Sequence, residues 1–157
     1  MKFLLLISVF IVAEAGPVAQ FVGTQHDFSY ITTDGTLGPW KVAVSVGQPF
    51  FKIFTYDIQV TRKGVYLIFA QVTFVTSLPS VSFDIYSSNN YTMPIAHCVE
   101  NTLQKCNEEV SCFTQIIQEI DKDSKLFVNV NGTRLYVNMM PAKTYIGLKP
   151  IYFLPEE

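Results

Sequence analysis

An all-β sandwich is the fold this sequence predicts, and three observations predict it. After Gly16 the chain runs as short β-rich segments separated by turn residues, the pattern of a sandwich or barrel. Little of it reads as helix. The clearest strand, Gly64–Phe74, is apolar on both faces. Side chains alternate across a strand, so Tyr66, Ile68, Ala70, Val72 and Phe74 share one face and can fill a core. Val65, Leu67, Phe69 and Gln71 share the other, which in an antiparallel sheet commonly meets water. Leu67 and Phe69 do not suit water, and the simplest cover for them is another copy of the chain.

Composition agrees. The 157 residues suffice for one domain with a core. Apolar residues make up 49% of the chain and charged ones 15%, against roughly 25% charged in an average domain. That balance suits extra buried surface, including an oligomer interface, and argues against disorder. A net charge of −2 gives no electrostatic footprint for nucleic acid or an anionic membrane.

Residues 1–15 read as a signal peptide, with Lys2 as the positive start, Phe3–Val12 as the apolar run and Ala13-Glu14-Ala15 as a small-x-small cleavage site before Gly16. A membrane anchor is the weaker reading, because a spanning helix needs about 20 apolar residues. In the later apolar stretch Tyr145–Leu154, Lys149 and Pro150 interrupt. The expectation is a secreted, extracellular protein with no stable membrane anchor, its domain covering 16–157. Cys98, Cys106 and Cys112 then meet an oxidising compartment where a disulfide persists, with one cysteine left over. Asn90-Tyr91-Thr92 and Asn131-Gly132-Thr133 are glycosylation sequons, both in turn-like stretches.

The elements follow in order. Val18–Val22 is a first strand, 26–39 a polar, Gly-rich loop, and Trp40–Val46 a weakly alternating strand. Phe50–Val60 is one long extended stretch, turned by Arg62-Lys63-Gly64 into the apolar strand. Leu78-Pro79-Ser80 breaks that strand before Val81–Tyr86. After the Ser87–Asn90 turn comes a strand over Met93–Val99. Glu100–Ser111 is polar and admits a helical turn. Phe113–Ile120 is a strand closed by the Asp121–Ser124 turn. Leu126–Val130 and Leu135–Met139 flank Asn131-Gly132, a hairpin-type signal, and Tyr145–Leu154 closes the domain.

These residues carry a family resemblance. Pro17–Val22 is similar to the first strand of tumour necrosis factor (TNF) ligand domains. Gly64–Phe74 resembles their block G-x-Y-x-[IV]-[YF]-[SA]-Q-V-x-F. Ile120–Leu126 is similar to L-x-x-G-D-x-L, and Tyr145-Ile146-Gly147-Leu148 to the terminal [YF]-F-G-x block. The resemblance spans Pro17 to Leu154 and implies a TNF-like jelly roll that forms a homotrimer. Leu67, Phe69, Phe113, Tyr145 and Ile151 match positions where such domains place apolar trimer contacts.

The resemblance also implies a disulfide between Cys98 and Cys112, similar to a bridge between adjacent strands in part of the family, with Phe113 following the second cysteine as an aromatic does there. Cys106 is then free; a local pair using Cys106 is the rival. Receptor binding in the family uses grooves between subunits, and Asn90–Pro94 resembles a loop that presents an exposed tyrosine. Tyr91 is therefore the receptor-binding candidate for a cysteine-rich TNF-receptor-type partner. A glycan on Asn90 would sit beside this anchor, and its removal is expected to strengthen binding. The chain departs from the family in four places. No dibasic site precedes the domain, Lys149 stands where an apolar axial residue is usual, Asp123 replaces a turn glycine, and the loop before the last strand is short.

Two other ligand readings are a complement-type globular head that binds molecular patterns and a non-signalling TNF-like decoy. No collagen-like repeat supports the former. Catalysis lacks a signature: there is no nucleophile elbow, no phosphate loop and no metal spacing, with only His26 and His97 as histidines. No cofactor or metal is implied.

Overall fold

The computed structural model describes residues 16–24, 28–31, 35–132 and 135–155. The signal segment, His26 and Glu156-Glu157 lie outside them. The described residues form thirteen strands: β1 Val18–Gly23, β2 Phe28–Ile31, β3 Gly35–Thr36, β4 Trp40–Val46, β5 Phe51–Ile53, β6 Ile58–Val60, β7 Gly64–Thr76, β8 Ser80–Ser87, β9 Ala96–Asn101, β10 Glu108–Ile120, β11 Lys125–Asn131, β12 Leu135–Asn138 and β13 Tyr145–Phe153. Seven antiparallel strands make the larger sheet (β1, β2, β4, β7, β10, β12, β13) and six make the smaller (β3, β5, β6, β8, β9, β11). This is an all-β jelly roll.

Strand β7 is the axis of the larger sheet. β10 pairs along its full length, from Ile120 opposite Gly64 to Glu108 opposite Thr76. A strand has two edges, so β13 and then β12 share the other one. The alternation read from the sequence is present: Tyr66, Ile68, Ala70, Val72 and Phe74 are buried, while Val65, Leu67, Phe69 and Gln71 are only partly covered. The buried row packs with Phe21, Ile146 and Leu148 of its own sheet and with Phe83, Ile85, Leu126, Val128 and Val130 of the other. At the end of the core the Tyr66 hydroxyl donates to the Arg62 carbonyl at 2.6 Å, and burial pushes its pKa up to about 12.

Several expectations need correction. The stretch 26–39 is not all loop: β2 pairs with β12, with Tyr30 opposite Tyr136 and the rings 4.6 Å apart, and β3 pairs with β11. Cross-strand aromatic pairs of this kind stabilise a sheet, but their partners lie far along the chain. Phe50–Val60 is two strands, because Phe54 N–H donates to the Asp57 carbonyl at 2.9 Å and closes a turn. The strand expected from Met93 begins at Ala96. No helical turn forms in 100–111; β10 extends back to Glu108. Asn131-Gly132 does not make a hairpin, since β11 belongs to the smaller sheet and β12 to the larger. Gly132 turns the chain between the layers with φ +120°, a conformation glycine adopts readily.

Two departures from the family pattern have a physical explanation. Asp123 takes φ +66°, which Asp tolerates better than most residues, so the turn keeps its shape without glycine. Pro150 sits in β13 next to a register shift between Pro150 and Tyr152, a bulge that suits a residue with no N–H to donate.

Candidate functional site

Two surfaces stand out, one on the outside of each sheet. On the larger sheet, directly opposed residues of neighbouring strands share a face. Phe113, Gln71 and Tyr145 are in register across β10, β7 and β13, as are Ile117, Leu67 and Lys149. Phe69 lies between these rows, its ring 6.4 Å from Tyr145 in an edge-on arrangement. It covers Gly147 so closely that a Cβ there would overlap the ring, which is the physical reason for glycine in the Tyr145–Leu148 block. Tyr145 is further fixed by its hydroxyl, which donates to Gln71 Oε1 at 3.5 Å, while Gln71 Nε2 donates to the Lys143 carbonyl at 3.1 Å.

The structure thus brings Leu67, Phe69, Phe113 and Tyr145 onto one outer face. Ile151 is the extra residue at the bulge and is half exposed; Tyr152 takes the outer place opposite Val65. Ile117, 61% exposed, and Tyr152 belong to the apolar patch and escaped the sequence reading. The signal for Ile117 was present: it follows Phe113 by two alternations on the same strand. Lys149 is exposed in the middle of this patch.

The smaller sheet is different. On its outer face Asp84 is nearly buried, and its carboxylate is fully engaged: Oδ1 meets His97 Nδ1, and Oδ2 accepts from Asn131 Nδ2 at 2.7 Å. No hydroxyl or thiol bonds His97 among the described residues. Beside this cluster stands an aromatic ladder. Tyr86 stacks on Phe127 at 5.4 Å, and Phe127 on Tyr91 at 5.7 Å. Burial and the nearby Asp84 charge raise the Tyr86 pKa. Tyr91 remains 65% exposed. A recess of about 240 Å³ opens between it, Thr36, Tyr56, Asp57, Lys125 and Phe127.

Cys98 and Cys112 form a disulfide with Cα atoms 6.1 Å apart. Cys98 belongs to β9 of the smaller sheet and Cys112 to β10 of the larger, so the bond crosses between layers rather than joining hydrogen-bonded neighbours. Cys106 is free and exposed. Among the described residues no group of three or more His, Cys, Asp or Glu side chains is placed to hold a metal, and no helix is long and apolar enough to cross a membrane.

This architecture is that of a TNF-type ligand domain. The TNF (Tumour Necrosis Factor) family pattern matches residues 52–150, more than half of the chain, and the chain belongs to that family. It is a cytokine-like ligand by class, a class of non-enzymatic signalling proteins. Among solved structures it is similar to the Eiger TNF of S. frugiperda, with 19% identity, a TM-score of 0.75, and coverage of 88% of this chain and 94% of that one. It is also similar to murine APRIL at pH 5.0, with 14% identity, a TM-score of 0.73, and coverage of 86% and 98%. No curated protein sequence matches it.

Proposed function

We propose that this chain is a secreted TNF-type ligand that assembles as a homotrimer through the outer face of its larger sheet. The trimer would then cluster a cysteine-rich TNF-receptor-type protein, with Tyr91 as one anchor. The observation that carries the assembly reading is one apolar face on which Phe113 and Ile117 are exposed and Leu67 and Phe69 only partly covered. Large contiguous apolar patches on a soluble domain mark interfaces. Family membership supports three-fold closure and the receptor class. Tyr91 suits a contact because an exposed, stacked aromatic is already ordered before a partner arrives. Clustering three receptors gives avidity beyond the affinity of one site.

The test is the absolute mass of the secreted, deglycosylated protein by light scattering. Three times the protomer mass is expected. A monomer at micromolar concentration would remove the inter-subunit groove and with it the clustering mechanism.

A further inference from the structure

Asn90 and Asn131 both open an N-x-[ST] sequon, and the folded chain uses their side-chain amides in opposite ways. Asn90 is exposed in the loop between β8 and β9. Its Oδ1 accepts the Thr92 N–H at 3.1 Å, the Thr92 hydroxyl at 2.7 Å and the Met93 N–H at 3.3 Å. This is a side-chain turn in which every bond uses the oxygen, so Nδ2 is left available. Asn131 ends β11 with its backbone opposite Ser82, and it is Nδ2 that is engaged, donating to the nearly buried Asp84 carboxylate at 2.7 Å.

The two residues of the Asn90 loop also part company. Asn90 lines a recess of about 420 Å³ together with Ser87, Met93, Ile95, Ile120 and Asp121. Tyr91 lines the separate recess beside Lys125 and Phe127. Neither residue lines both, so Asn90 and Tyr91 border different recesses of the same loop.

We propose that Asn90 is the N-glycan acceptor, that Asn131 is not, and that the sugar covers the Met93 side of the loop while leaving the Tyr91 side open. The proposal rests on the secretory reading above. The donor is a lipid diphosphate-linked oligosaccharide. A bond forms between Asn90 Nδ2 and C1 of the first sugar. The C1–O bond to the diphosphate breaks and the lipid diphosphate leaves with the electron pair. One Nδ2 proton is lost to base. Asn131 keeps its amide unmodified as the partner of Asp84.

The full chain, made in glycosylating animal cells, is cleaved after Lys and Arg and its peptides are weighed. Asn90 and Asn131 fall in different peptides, 64–105 and 126–134. A glycan mass on the first and none on the second is expected. Asn90→Gln should abolish the shift, and Thr133→Ala, which destroys the other sequon without touching Asn131, should leave it unchanged. Peroxide should oxidise Met93 several-fold more slowly in the glycosylated protein than after enzymatic sugar removal, with Tyr91 nitration unaffected. A glycan on Asn131, a bare Asn90 in secreted protein, or equal Met93 oxidation would overturn the proposal. A parallel chain carrying an added secretory leader separates the two readings: entry only with that leader counts against native secretion, not against the choice of acceptor.

Discussion

The outer faces of the two sheets solve the same problem differently. On the smaller sheet, side chains pair within the chain: Asp84 holds His97 and Asn131, and Tyr86, Phe127 and Tyr91 stack on one another. On the larger sheet, Leu67, Phe69, Phe113 and Ile117 are shielded by little but their neighbours, and Lys149 stands among them. A face that completes its own contacts needs no second copy to be stable. A face that does not is built for a cover. The contrast supports the proposed assembly through the larger sheet, with the smaller one left for the proposed receptor contact at Tyr91.

Three variants sharpen or break that contrast. Phe113→Glu has the largest expected effect, because it puts a charge opposite neutral Gln71 into the proposed interface. Self-association should weaken by about 4 kcal/mol, roughly a thousandfold in dissociation constant, with the β-sheet circular dichroism retained. Sedimentation at graded concentrations reads this, and an unchanged assembled mass would move the interface elsewhere. Replacing Cys98 and Cys112 together by Ser removes the link between the layers. The loop it closes spans 14 positions, so stability should fall by about 3 kcal/mol, seen as a lower thermal midpoint. No shift would show that packing alone joins the sheets. Asp84→Ala should have the smallest effect, leaving His97 and Asn131 without their acceptor at a cost of about 1–3 kcal/mol in urea unfolding. The assembled mass should stay unchanged. Loss of assembly in this variant would erase the distinction between the faces.

Much of this was legible because a strand has a period of two. The parity of Gly64–Phe74 is enough to send Tyr66 inward and Leu67 outward, and the structure keeps both assignments. What was not legible depends on partners remote in sequence. The short strand Phe28–Ile31 exists because β12 lies beside it. The bulge after Pro150 shifts the alternation, so Tyr152 rather than Ile151 stands opposite Val65. Asp84, His97 and Asn131 come from three strands of the smaller sheet, and nothing local to any of them announces the cluster. Asn131-Gly132 has the composition of a hairpin turn, yet the larger sheet claims the strand that follows it.

The disulfide across the layers also has a competitor within the chain. Its cysteines sit in different sheets, so packing of the two layers is what holds them at bonding distance in the folded domain. Cys106 is nearer to Cys112 along the chain and is exposed, which makes it the kinetically favoured wrong partner in an unfolded chain, since shorter loops close at lower entropic cost. Packing of the two layers favours the native pair over this competitor. A chain trapped through a Cys106–Cys112 pair would carry its free thiol at Cys98 instead of at Cys106, so the position of the free thiol separates the two pairings.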